Sequence, residues 1–302
     1  MDLTGARLRA TDTSTLAYNA AVVVIILIFA SRIPSWHRII LLNLATIAIV
    51  LLLSRVGGQS HPLLRFLRDF YPMFFFFAAY EQTGRMNRVL FPELLDPLFQ
   101  RLEYALFGFQ PAVEFARRFP QPWFNEYMHI AYFSYYLLFP SLGLILHARG
   151  PRRVFDEYMF ALSSSFYVFF LIFILLPVAG AATLEAPPLP AAGPFTVLMD
   201  VIYAHLEPPG GAFPSSHVGI ALLVMIYARR HLSSRAFSLY ALLGISLMIS
   251  TVYCRYHYAI DVLAGLAAGT ALTIFFRRLH GRIAAGAHPA HRARSVTSAR
   301  DM

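Results

Sequence analysis

Gly210-Gly211-Ala212-Phe213-Pro214-Ser215-Ser216-His217 and Arg255-Tyr256-His257-Tyr258-Ala259-Ile260-Asp261 are two short polar islands within an apolar stretch that runs from Gly210 to Gly265. Between them, Val218 to Tyr227 and Phe237 to Tyr253 are almost wholly apolar, broken only by the basic turn Arg229-Arg230-His231-Leu232-Ser233-Ser234-Arg235. Two membrane-crossing helices joined by a short turn return the chain to the side it left. The spacing therefore predicts that both islands lie at one membrane face, close enough to form a single site.

The rest of the chain has the composition this requires. Of 302 residues, 58% are hydrophobic and only 14% charged, with mean hydropathy +0.57. That leaves too few charges to cover a soluble domain of this size, and argues against a soluble all-α protein with buried helices. The net charge of +9 would suit nucleic acid, but all 25 basic residues are arginines and most stand at the ends of apolar runs. Such a distribution serves topology and anionic headgroups, so the expected partners are a membrane and a lipid substrate, with no nucleic acid. Cys254 is the single cysteine, which rules out an intrachain disulfide and a thiolate zinc cluster. No cofactor or metal is expected. The first fifteen residues are polar and no small-residue cleavage site follows the first apolar run, so that run is read as a retained span.

The expected fold is an all-α polytopic membrane bundle of about eight transmembrane helices, six at the fewest. The spans are read over Leu16–Ser31, His37–Ser54, Phe66–Glu81, Trp123–His147, Phe155–Ala179, Ser216–Ala228, Phe237–Cys254 and His257–Phe276. Residues 1–92 hold the N-terminal spans. Residues 93–122 differ: Leu98, Leu102, Ala105 and Leu106 recur at helical spacing beside Arg101 and Glu103, which predicts an amphipathic segment lying in the interface. Residues 123–278 form the catalytic membrane core, and 279–302 are a disordered cytoplasmic tail. Ala181 to Glu207 reads as a Pro/Ala-rich loop without a single basic residue, its Asp200, His205 and Glu207 taken as solvated.

Positive charge sets the orientation. With eight spans, one side receives Arg7, Arg9, Arg55, Arg65, Arg68, Arg149, Arg152, Arg153, the basic turn and the arginine-rich tail. Both termini are then cytoplasmic, and the islands face outward from what is expected to be the plasma (inner) membrane.

His257 and Asp261 are four residues apart, so on a helix they share one face. An Asp accepting a hydrogen bond from one imidazole nitrogen fixes the tautomer and leaves the other nitrogen free, which makes a His nucleophile or base. Pro214 suits a turn at the mouth of a helix, Ser215 can cap it, and the amides there, with Ser216, favour an anion ahead of His217. Two histidines facing each other across a phosphate are what in-line displacement needs: one attacks phosphorus, the other protonates the leaving oxygen. Asn125, His129, Tyr132 and Tyr136 follow i, i+4, i+7 and i+11 in the fourth span, a polar face that serves either a substrate headgroup in a cavity or hydrogen bonds between helices. Ser163 to Ser165 are read as letting helices approach closely.

Gly-x-x-Phe-Pro-Ser-x-His over Gly210–His217, followed by His-Tyr-x-x-Asp-Val-x-Ala-Gly over His257–Gly265, resembles the type 2 phosphatidic acid phosphatase superfamily. Glu103, Phe107-Gly108, Gln110-Pro111 and the Tyr-rich fourth span resemble its inositol phosphorylceramide synthase-like branch. The resemblance implies that His257 is the nucleophile, Asp261 its orienting carboxylate and His217 the acid. Two departures stand out. The superfamily's Lys-x6-Arg-Pro motif is missing, since Leu176 to Pro209 holds neither Lys nor Arg, and Thr251 stands where the second motif usually has Arg. Arg255, one turn on, is read as presenting its guanidinium to phosphate instead.

The expected function is metal-independent phosphoryl or phosphodiester transfer on a lipid through a phospho-His257 intermediate. A lipid hydroxyl as acceptor makes a headgroup transferase; water makes a lipid phosphate phosphatase. A transporter would call for midspan charges and inverted repeats, which the sequence lacks. A metal hydrolase would call on His205, His217, His257 and Asp261.

Overall fold

The computed structural model describes residues 8–190 and 193–286, and within them the chain is helical apart from turns and one isolated bridge. The N-terminal part is α1 (Ala10–Ile28), α2 (Trp36–Leu53) and α3 (Pro62–Met86). Two short helices follow, α4 (Asp96–Phe107) and α5 (Pro111–Arg118), where a single amphipathic segment was expected; αL Gly108 ends the first and Pro111 starts the second. The fourth apolar run is two helices in line, α6 (Pro122–Phe133) and α7 (Tyr135–Arg149), broken at Ser134. Next come α8 (Arg152–Leu175), α9 (Pro194–Leu206), α10 (Ser216–His231), α11 (Ser234–Tyr253) and α12 (Ala259–Gly286).

Among the described residues six helical stretches are long and apolar enough to cross a membrane: α1, α2, α6 with α7, α8, α11 and α12. The other two expected spans are helices as well. α3 has the length but carries Arg65, Arg68, Asp69, Glu81 and Arg85, whereas α10 is apolar but only 16 residues long. The expected loop before the first island is partly a helix, α9, opened by Pro194 and apolar over most of its length. At the other end, α12 continues to Gly286, beyond the predicted start of the tail, and residues 287–302 lie outside the described residues.

α8 is the central post. It is apolar nearly all round, and such a helix finds no water-facing side, so it packs against α1, α3, α7, α10 and α12. Phe166, Phe169, Phe170 and Phe173 fill the middle of the bundle, and Ser164 meets Ser14 of α1 at 2.8 Å. α2, by contrast, leaves Leu41, Leu42, Leu44, Leu51 and Leu52 exposed, an unbroken apolar face of the kind lipid covers.

Charge gathers at one end. The Arg68 guanidinium donates to both Asp12 carboxylate oxygens at 2.5 and 2.6 Å, and Asp69 accepts from Arg9 and Arg152. Arg277 of α12 and Tyr227 of α10 meet Glu157 of α8 at this same end. Both islands lie at the opposite end, because α10 starts and α12 starts there.

Candidate active site

What brings the islands together is a glycine contact between α10 and α12. A Cβ on Gly269 would fall 2.6 Å from the Gly219 Cα, and one on Gly265 would fall 2.5 Å from the Ser215 carbonyl oxygen. Helices whose facing residues lack side chains approach to backbone contact, as small residues at four-residue spacing permit in membranes. The approach is sealed by the Ser215 amide, which donates to the Asp261 carbonyl at 3.0 Å. Ser215 caps α10 as its position suggested, its hydroxyl accepting from the Val218 amide at 3.4 Å. The first-turn amides of Ser216 and His217 have no backbone acceptor among the described residues.

His257 is not on the helix with Asp261. It sits in the turn between α11 and α12, and the amides of Tyr256 and His257 both donate to the Thr251 carbonyl, at 3.1 and 3.0 Å. Asp261 occupies the third position of α12 and reaches back to cap the Tyr258 amide at 2.8 Å. Its carboxylate lies 3.5 Å from His257 Nδ1, but a nearer partner, the Ala212 carbonyl oxygen, stands at 2.9 Å. A carbonyl only accepts, so Nδ1 carries the proton and Nε2 keeps its lone pair. Nε2 in turn faces His217 Nδ1 at 3.4 Å, and His217 Nε2 accepts from the Tyr132 hydroxyl at 3.0 Å. Donors and acceptors along this chain alternate without conflict from Tyr132 to Ala212. Both histidines and Asp261 are buried.

Two cavities meet at His217. A polar one of about 340 Å³ is bounded by the islands, the 179–183 turn and Tyr80, Tyr132, Tyr203 and Tyr256. An apolar one of about 310 Å³ runs between α3, α7, α8, α9 and α10, past Phe76, Phe139, Phe166 and Phe170. Tyr80, Glu207 and His217 line both, and Ser216 lines the apolar one.

The remaining expected substrate contacts divide. Tyr132 donates to His217 and lines the polar cavity, and Tyr136 donates to Glu207 at 2.9 Å and lines the apolar one. Asn125 is fully buried and donates to the Pro190 carbonyl at 2.7 Å, and His129 donates from Nδ1 to the Asn125 carbonyl. Neither lines the polar or the apolar cavity; the break at Ser134 and the packing of α6 against α9 and α11 turn them toward other helices. Arg255 is likewise outside. α11 ends at Tyr253, Arg255 takes a left-handed conformation (φ 61°), and its guanidinium donates to the Pro187 carbonyl at 2.6 Å.

Glu207 is the site residue the sequence did not reveal. Instead of facing solvent like Asp200 and His205, it is partly buried and accepts from the Tyr80 hydroxyl at 2.6 Å and from Tyr136. Burial pushes its carboxyl above the usual range, while the two hydroxyls pull the other way. The signal available in sequence was its place: the last of three acids in a loop without Lys or Arg, three residues before the first island. Behind the site, Glu103 of α4 accepts from the Ala259 and Ile260 amides at 2.5 and 3.2 Å and so caps α12 from another helix. Asp96 does the same for the 179–183 turn, accepting from the amides of Ala179 and Gly180 and from the Tyr258 hydroxyl.

The island pair, the α10–α12 core and the supporting α4 all fall within residues 99–275 apart from the first residues of α4 and the end of α12, and over 99–275 the family model described as PAP2 superfamily matches. That is more than half of the chain. It belongs to the PAP2 superfamily. No curated protein and no solved structure gave a significant match. PAP2 membership carries, at a coarse level, phosphatase- or phosphotransferase-type chemistry on lipids, and the apolar helices make this member an integral membrane protein.

Proposed function

We propose that this PAP2 protein transfers a phosphodiester headgroup from one lipid to the hydroxyl of another, as in the inositol phosphorylceramide synthase-like branch it resembles, through phosphohistidine at His257 Nε2. The observation that carries this is the pair of contacts on His257: Nδ1–H held on the Ala212 carbonyl, Nε2 turned toward His217 where the two cavities meet. An imidazole so held presents its lone pair in one direction and pays little to be oriented.

In the first half-reaction the His257 Nε2–P bond forms and the P–O bond to the diacylglycerol-type leaving group breaks, with His217 giving its Nδ1 proton to the leaving oxygen. Its Nε2 meanwhile takes up the Tyr132 hydroxyl proton, which returns to Tyr132 in the second half-reaction. In the second, the acceptor hydroxyl loses its proton to His217 as its oxygen bonds phosphorus and the N–P bond breaks. The 3.4 Å contact between the two rings leaves no room for phosphorus between them, so the phosphoryl group takes the place of that contact and His217 turns toward the leaving oxygen. The apolar cavity suits acyl chains and the polar one the headgroup. The unpaired amides of Ser216 and His217 supply donors to the phosphate oxygens in a site without the superfamily's basic motif.

The test is incubation of purified protein with phosphorus-labelled lipid donors, with and without a long-chain alcohol acceptor, followed by separation of products. Expected are an acid-labile phosphoprotein lost in His257→Ala and a new phosphodiester lipid that needs the acceptor. Release of free phosphate, indifferent to acceptor, would make the protein a phosphatase.

A further inference from the structure

Glu207 sits where the polar and apolar cavities join, and its surroundings contain no cation to pair with it. Among the described residues it forms no ion pair, and neither Lys nor Arg lines either cavity; the chain has no lysine at all. Its two oxygens are each held by one tyrosine hydroxyl, from Tyr80 at 2.6 Å and Tyr136 at 2.9 Å. A carboxylate has about four acceptor positions, so lone pairs remain for a ligand. Around it the polar cavity is walled by tyrosine rings, with Tyr256 packed between Tyr132 and Tyr203 at 4.4 and 4.3 Å between centroids.

We infer that the headgroup recognised here carries its own positive charge: the polar cavity binds a zwitterionic phosphodiester whose ammonium pairs with Glu207 while its phosphate meets His217 and His257. This rests on the phosphotransfer proposed above and names its donor class. A phosphate monoester, or a diester with an uncharged polyol, would set its negative charge against Glu207 in a cavity with no arginine in its lining to offset the repulsion. A zwitterion removes that conflict, because one ligand satisfies both the anion-binding histidine pair and the lone carboxylate. Carboxylate beside aromatic rings is also the chemistry that holds alkylammonium groups, through the ring quadrupoles. The missing basic motif and the half-buried carboxylate then have one common cause.

The test uses the full-length protein in mixed micelles with five donors of matched acyl chains: choline, ethanolamine, glycerol and inositol phosphodiesters, and phosphatidic acid. Wild-type protein is expected to favour the choline or ethanolamine donor in kcat/KM. Glu207→Gln removes the charge while its amide oxygen still accepts from one tyrosine and its amide nitrogen donates to the other once that hydroxyl turns; it is expected to raise KM for those donors about tenfold and to improve the anionic ones, as loss of one interfacial charge pair does. Tyr136→Phe leaves the carboxylate and is expected to keep the order of preference. Preference for inositol, glycerol or monoester donors in the wild type, or an equal loss for all donors in Glu207→Gln, overturns the inference while phosphotransfer stands. No labelled protein or product with any donor removes phosphotransfer and this inference together.

Discussion

His257 Nδ1 lies closer to the Ala212 carbonyl oxygen, at 2.9 Å, than to the Asp261 carboxylate, at 3.5 Å. The tautomer of the proposed nucleophile is therefore fixed by the first island's backbone, and the carboxylate adds charge stabilisation and a cap on the Tyr258 amide. In serine hydrolases, Asp→Asn costs about 10⁴-fold because the wrong tautomer results. Here Asp261→Asn leaves the carbonyl in place, so the expected loss in kcat is smaller, about 10²-fold. Initial rates at matched protein level check this; a fall of 10⁴-fold would return the orienting role to Asp261 alone.

The backbone contact of Gly219 with Gly269 sets the distance between the islands. Gly269→Ala puts a methyl 2.6 Å from the Gly219 Cα, with backbone on the other side and nothing flexible to yield. The helices must part by a fraction of an ångström or more, and misplacement of about 1 Å in an active site costs on the order of 10²-fold. A rate loss of tenfold or more is expected in protein that still purifies as a folded species. Wild-type rates in Gly269→Ala would show that the islands hold together without this contact.

Glu103 predicts a pH effect on stability. Burial raises its carboxyl from 4.5 to about 7, against the pull of the Ile260 and Ala259 amides. Because the folded-state value is the higher one, the stability it contributes is complete below about 4.5 and lost as pH rises through about 7. Glu103→Gln keeps the amide caps and removes the titration. The melting temperature of the wild type relative to Glu103→Gln should therefore fall between pH 4.5 and 8. Glu103→Ala should lose stability at every pH, since two buried amides are left unpaired at about 1–3 kcal/mol each.

Arg255 separates two accounts of how phosphate is held. Its guanidinium is engaged by Pro187 outside the cavities, so Arg255→Lys is expected to stay within about threefold of wild-type activity, an exposed contact being worth little. Loss of most activity despite the retained charge would instead mean that the side chain swings to the phosphate as a bidentate donor.

Orientation is testable with single cysteines in a Cys254→Ser background. Pro188 and Ser234 are exposed at opposite ends of the bundle. Cysteine at 188 should react with an impermeant thiol reagent in intact cells, and cysteine at 234 only after permeabilisation. The reverse pattern would put the two cavities on the cytoplasmic side.

Much of this protein was legible in its sequence because membranes constrain chains so strongly. Continuous apolar runs of about twenty residues read as helices, since of the two structures that satisfy the backbone without water a barrel strand needs only about ten residues and alternates in polarity. From that, the hairpin Val218–Tyr253 had to bring His217 and His257 to one end, and Gly265 and Gly269 on the returning helix allowed the contact. What periodicity could not supply was anything set by non-helical backbone or by loops. His257 lies before α12 and not on it, so its partner is a carbonyl 45 residues away that no spacing rule reveals. Arg255 left the expected helical face because α11 stops two residues earlier. Asn125 and His129 kept the periodicity of a polar face, but only the packing of α9 and α11 decided that the face meets helices and not the cavity. Glu207 is the sharpest case. In sequence it is an acid in a Pro-rich loop, and only the folding of that loop over Tyr80 and Tyr136 makes it a partly buried carboxylate between two cavities. Local pattern fixes which residues can form a helix and which end they share; the direction in which a polar side chain finally points depends on which neighbour can pay its desolvation, and that is settled by tertiary packing.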